Sequence, residues 1–322
     1  MILHSLYRVF LNTGSVKDSF IWGKKVVGMK KLIITADDYG MSPGVNQAIE
    51  EGIGCGLITS TNVMANMDYA QDAATLKQKF PNVSVGIHWT LSAGRPVSKP
   101  EEIPSLVNEN GEFHSYQEFR KRYRSELIKE EEIITELKNQ YEKFCEICGE
   151  PDYWNTHQNI HVDFKLFRLF VKCAKSLGIS KMRSHQRVYI RPESGKSTMS
   201  LKWKILEPVK LIIINYWKRM ASKNGMASPD GIVTTLNEKD RMNLEYIFES
   251  LNHKNVKFAE YVIHPAVKID SEYFGGISGN RIVEYKQFTS DETKRLVYEK
   301  NIKLANFRDL KQKEKAKLVK IK

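Results

Sequence analysis

Short runs of β-branched and apolar residues alternate along the chain with longer stretches of helical period. Lys31–Ala36 reads as a buried strand closing on polar residues, and Ser42-Pro43 follows as an N-cap with proline in the first helical position. That pair opens a helix to about Gly54. Ile58–Met64 and Val83–His88 read as the second and third strands, with a helix over Tyr69–Phe80 between them. Residues 92–128, broken by Pro96, Pro100, Pro104 and Gly111, predict a long irregular connection. Next come a helix over Glu130–Cys148, a strand over Tyr153–Thr156, a helix over Phe164–Leu177 and a short strand over Lys181–Ser184. An excursion at about 194–230 carries a helix near 201–222. The pattern closes with a helix over Glu238–His253, a strand over Phe258–His264, a Gly-rich loop at 275–279 and a helix over Ser290–Lys303.

Recurrent β-α alternation implies a parallel sheet, and its persistence over this length favours a barrel over an open sheet. The 322 residues suit one main domain from 29 to 310. A strong strand begins just after Met29, so either residues 1–28 are an appended arm or the natural start lies near Met29; 311–322 read as a basic tail. The net charge of +12 is concentrated at those ends, which together supply +8 of it, so it argues little for nucleic acid. No run of about 18 apolar residues predicts a membrane span. Four cysteines make no disulfide framework in a chain of this size, and a reducing, cytoplasmic setting follows.

In parallel barrels the chemistry collects at the C-terminal strand ends. Here those ends carry Asp37-Asp38, His88, His157 and His264. Each alone reads as a turn residue or a packed histidine; four from separate βα units do not. Two imidazoles and a carboxylate make a half-open ligand set for metal-assisted hydrolysis. The neighbouring carboxylate is then free to act as a base, and a histidine on the far side can protonate a leaving group. His161, four residues after His157, is a further ligand candidate or a group supporting one. Cys145-Glu-Ile-Cys148 has no partner pair for a zinc ribbon. Gly275–Gly279 lacks the preceding strand and following helix of a phosphate loop, and no Gly-x-Ser-x-Gly elbow occurs.

At Thr35-Ala-Asp-Asp-Tyr-Gly40, Val85-Gly-Ile-His-Trp-Thr-Leu91, Thr156-His-Gln-Asn-Ile-His161 and Ile263-His-Pro-Ala266, the chain resembles the YdjC-like carbohydrate deacetylases, the chito-oligosaccharide deacetylase type. The resemblance implies a distorted (β/α) TIM-like barrel related to polysaccharide deacetylases, acting on an N-acetylated amino sugar. It implies Asp38, His88 and His157 as metal ligands, Asp37 as base and His264 as acid. Arg183 and His161 fall near the substrate or behind the ligands. One divalent cation is implied, Mg²⁺ first, with Zn²⁺ or another transition metal as alternatives. Asn155 and Asn159 stand where the family commonly carries an acidic residue and a histidine, which bears on the tuning of the ligands. Partners implied are the acetylated sugar and no nucleic acid; a homo-oligomer stays open. The alternatives are a non-catalytic sugar- or nucleic-acid-binding protein on this scaffold, or a metal-dependent hydrolase of another bond.

Overall fold

The computed structural model describes residues 30–191, 201–235, 239–273 and 278–311. The N-terminal arm at 1–28, most of the Gly-rich loop and nearly all of the basic tail lie outside the described residues. Among those described, eight parallel strands form one sheet: β1 (Lys30–Tyr39), β2 (Ser60–Val63), β3 (Ser84–Trp89), β4 (Trp154–Thr156), β5 (Arg187–Ile190), β6 (Gly231–Thr235), β7 (Phe258–Ile263) and β8 (Ile302–Ala305). Their order is β4-β3-β2-β1-β7-β6-β5, with β8 added beside β1. The sheet curls into a half-barrel flanked by helices, the α/β barrel architecture that the alternation predicts.

The helices are α1 (Pro43–Gly54), α2 (Leu76–Lys79), α3 (Tyr116–Arg124), α4 (Glu130–Cys148), α5 (Phe164–Ser176), α6 (Leu201–Lys223), α7 (Leu244–Asn252), α8 (Ser278–Phe288) and α9 (Asp291–Glu299). Central β1 is buried over nearly its whole length, because helices cover one side and barrel side chains fill the other. Ser42 caps α1 by accepting from the Val45 N–H. In α4, Glu130, Glu131 and Glu132 complement the helix dipole and Gly149 ends the helix with a positive φ.

The chain departs from its hydrophobic pattern where tertiary contacts replace periodicity. Residues 92–128 contain α3, and carboxylates of α4 hold part of the rest of that stretch. Glu136 accepts from the Val97 and Ser98 N–H groups and Glu132 from that of Ser105, which satisfies backbone with no ladder partner. The expected helix over Tyr69–Phe80 is a 3₁₀ segment, Ala70–Thr75, followed by the single turn α2. Lys181–Ser184 is not a strand but two isolated bridges, Trp154 to Met182 and Lys181 to Ala227. The helix expected over Ser290–Lys303 stops at Glu299, and the chain re-enters the sheet as β8. A helix, α8, follows the Gly-rich segment after all.

β3 sits tightly against the strand beside it. A Cβ built on Gly86 would lie 2.5 Å from the Tyr153 ring. That ring cannot easily yield. It stacks on Phe307 at 3.7 Å, and its hydroxyl donates to the Thr61 carbonyl. Gly86→Ala is therefore expected to destabilise the protein by about 1–3 kcal/mol through overpacking. A chemical-denaturation midpoint equal to wild type would show that the ring relocates freely.

Candidate functional site

Asp37 and Asp38 are neighbours in a strand, where successive side chains normally point to opposite faces. Here the β1–β2 register shifts between Ala36 and Tyr39, and Asp38 takes a left-handed backbone with φ of 75°. Such a bulge re-aims a side chain, at a local backbone cost of order 1–3 kcal/mol. Both carboxylates consequently reach one buried site at the C-terminal edge of the sheet. β3 brings His88 there, the turn after β4 brings His157, and the residue following β7 is His264. Arg183 follows the bridge at Met182, and Arg281 comes from α8.

Asp38 is the hub of one half. Its Oδ1 lies 3.2 Å from His88 Nε2 and 3.1 Å from His157 Nδ1, while Oδ2 accepts from Arg281 Nη2 at 2.6 Å. The two imidazoles meet edge to face with centroids 5.6 Å apart. Ligand atoms from Asp38, His88 and His157 all lie within 4.8 Å of one another, and all three residues are buried. Two imidazoles converging on one carboxylate oxygen, with His157 Nε2 buried and without a partner, suit a divalent cation. The donor set fits that group.

Asp37 is the hub of the other half. Arg183 donates to it in a bidentate fork, Nη1 to Oδ2 at 2.6 Å and Nη2 to Oδ1 at 2.7 Å, and Asn62 Nδ2 adds a third bond at 2.6 Å. Arg183 Nε donates to buried Glu260 at 3.0 Å. Across the site, His264 Nε2 stands 3.7 Å from Asp37 Oδ2. The His264 backbone N–H donates to Glu284, which also accepts from Arg241.

These contacts set the charges. Burial works against ionised Asp37, but the Arg183 guanidinium outweighs it and holds the carboxyl well below the usual range. For Asp38 burial again opposes, while Arg281 and the two histidines bring the carboxyl well below its ordinary value. His264 is lowered to about 3 by burial, although Asp38 and Asp37 pull the other way. Glu260 is raised by burial against the Arg183 charge.

His161 does not join the cluster. Its Nδ1 meets Thr156 Oγ1 and its Nε2 lies 2.7 Å from His185 Nε2. The turn carrying it contains Gln158 and Asn159 in left-handed backbone, so the four-residue spacing does not place it beside His157 as a helix would. Arg281, Glu260 and Asn62 are the residues the sequence pattern did not mark. Glu260 had a signal, a lone charge in the apolar run Phe258–Ile263; Asn62 had a weaker one, a polar group in a buried strand. Arg281 had none.

An all-parallel half-barrel with an Asp-His-His cluster at its C-terminal rim defines a class of α/β protein whose clustered side chains could hold a cation beside a second carboxylate. Within that class the chain belongs to the YdjC-like protein family, which it matches over residues 31–299. A Clostridium beijerinckii protein named carbohydrate deacetylase is 29% identical over 282 residues, spanning 87% of this chain and 100% of that protein. A Serratia marcescens chitooligosaccharide deacetylase is 34% identical over 151 residues, covering 47% of this chain and 58% of its own. The crystal structure of an Enterococcus faecalis V583 protein, provisionally described as a cellobiose-phosphate cleavage protein, has a TM-score of 0.63. It is 25% identical and covers 87% of this chain and 98% of that one. Among the described residues no helix is long and apolar enough to cross a membrane.

The buried histidines give a pH signature of stability. His161 is held well below its ordinary 6.5 by burial and by His185, so the folded state keeps it neutral where the unfolded chain binds a proton. Stability from this group is complete above about pH 6.5 and falls as pH drops below it, by roughly 1.4 kcal/mol per pH unit. His161→Gln should flatten that slope by about one proton in denaturation measured between pH 6.5 and 4.5. An unchanged slope would mean that His161 titrates normally.

Proposed function

We propose that this protein is a metal-dependent carbohydrate deacetylase that hydrolyses the N-acetyl amide of an amino-sugar oligosaccharide and releases acetate. The observation that carries the reading is the division of two adjacent buried carboxylates between two tasks. Asp38 faces His88 and His157, whereas Asp37 faces Arg183 and His264. Relatives over nearly the whole chain bear the name carbohydrate deacetylase. Residues 29–310 would form the one catalytic domain.

Asp38, His88 and His157 would hold the cation. Bound there, a divalent ion supplies positive charge that polarises an amide carbonyl and acidifies a water. Asp37 stays ionised at neutral pH because Arg183 outweighs its burial, and Oδ2 is its proton acceptor. Arg183, fixed in turn by Glu260, keeps that carboxylate from rotating. His264 Nε2 lies beside Asp37 Oδ2 and is the donor to the leaving nitrogen. Burial keeps His264 neutral between turnovers. The proton it delivers is thus the one that Asp37 has taken from the attacking water in the same turnover. Four free thiols, Cys148 and Cys173 among them buried, go with a reducing, cytoplasmic compartment.

Asp37→Asn is expected to lower acetate release from acetylated chito-oligosaccharides by about 10²–10⁴-fold while leaving metal content unchanged by elemental analysis. Wild-type turnover in that variant would remove Asp37 as the base. His88→Ala should lose bound metal; an unaltered content would take His88 out of the ligand set. A metal-loaded wild-type protein that frees no acetate from any acetylated sugar overturns the reading as a whole.

A further inference from the structure

The side chain of Asn155 sits between the two halves of the site, 2.5 Å from His88 Nδ1 at one end and within reach of Arg183 and Asn62 at the other. Its surroundings dictate which way the amide faces. Arg183 and Asn62 present donors, and neither the guanidinium nor the Asn62 –NH₂ group can accept in return. With the amide oxygen turned toward them, it accepts from Arg183 Nη1 at 2.9 Å, Arg183 Nη2 at 3.1 Å and Asn62 Nδ2 at 3.0 Å. The amide nitrogen then donates to His88 Nδ1, and to the Ile87 carbonyl at 3.3 Å. In the reverse orientation the –NH₂ group faces three donors.

This has a consequence for the opposite side of the imidazole. A neutral histidine that accepts at Nδ1 carries its proton on Nε2, and Nε2 is the atom directed at Asp38. An Nε2–H cannot bind a cation. We propose that Asn155 holds His88 in the tautomer that opposes metal binding and so sets the metal affinity of the site. This inference rests on the metal-centre reading above. Loading requires the His88 proton to leave Nε2 and a proton to occupy Nδ1. The Asn155 amide must turn over to accept it, against Arg183 and Asn62. A carboxylate at 155 removes the conflict, since one oxygen accepts from Arg183 and Asn62 while the other accepts the Nδ1–H.

The test uses zinc, calorimetry and imidazole ¹⁵N spectroscopy on the full chain. In chelator-treated wild type, long-range ¹H–¹⁵N spectra, assigned by the loss of signals in His88→Ala, should show His88 protonated on Nε2. With zinc bound, the proton should appear on Nδ1. Asn155→Asp should show the Nδ1–H form before any metal is added and bind zinc roughly ten- to a hundredfold more tightly. Equal zinc affinity in the two proteins overturns the assignment to Asn155 and leaves the metal centre standing. A wild-type His88 already protonated on Nδ1 without metal also overturns it, because any gain in Asn155→Asp would then come from the added charge. Absence of zinc binding by both proteins removes the metal centre, and this inference with it.

Discussion

Two carboxylates side by side in a buried interior repel one another and are withdrawn from bulk solvent, and the architecture of the site follows from how that charge is balanced. An unpaired buried ion costs several kcal/mol even after relaxation. Asp37 and Asp38 therefore each take a guanidinium, Arg183 from the loop after the bridge at Met182 and Arg281 from α8. Arg183 in turn is shared with Glu260 on β7. The result is a buried lattice of alternating sign that ties β1, β7, the post-β4 segment and α8 to one centre. Removing either arginine would strand a carboxylate, and breaking a buried pair in this way costs about 3–5 kcal/mol.

The bulge at Asp38 gives this lattice its two halves. Without it, alternation along β1 would send one carboxylate into the helical layer. With it, both members of the pair face one buried site. One member is held by imidazoles and the other by a planar fork that fixes its orientation. The separation sets the Asp37 carboxylate beside His264 and the Asp38 carboxylate beside His88 and His157.

Much of this was legible in the chain. Capped helices and apolar strands carry their own local signals, and Ser42-Pro43 and the acidic opening of α4 stand where the pattern indicates. The strand-end residues Asp37, Asp38, His88, His157 and His264 do converge, because parallel strands must present their C-terminal ends to one face. Arg183 was marked, but the rest of the charge compensation stayed hidden. Arg281 lies in a helix that no periodicity announces, and its partner is 243 residues away. Part of the stretch 92–128 is held by α4 carboxylates gripping the backbone at Val97, Ser98 and Ser105, an arrangement with no period to read. His161 illustrates the converse: its spacing from His157 is suggestive, yet two left-handed residues between them send it toward His185.

The ion pair between Asp38 and Arg281 also orders events in time. Asp38 is made well before its guanidinium, which lies 243 residues further along the chain. Until Arg281 is made, β1 carries a carboxylate that the closing sheet would bury without its guanidinium. The N-terminal strands thus have a physical reason to stay open while the rest is synthesised. Long-range pairing of this kind slows folding, and the charge-balanced centre cannot be completed before residue 281 has been made.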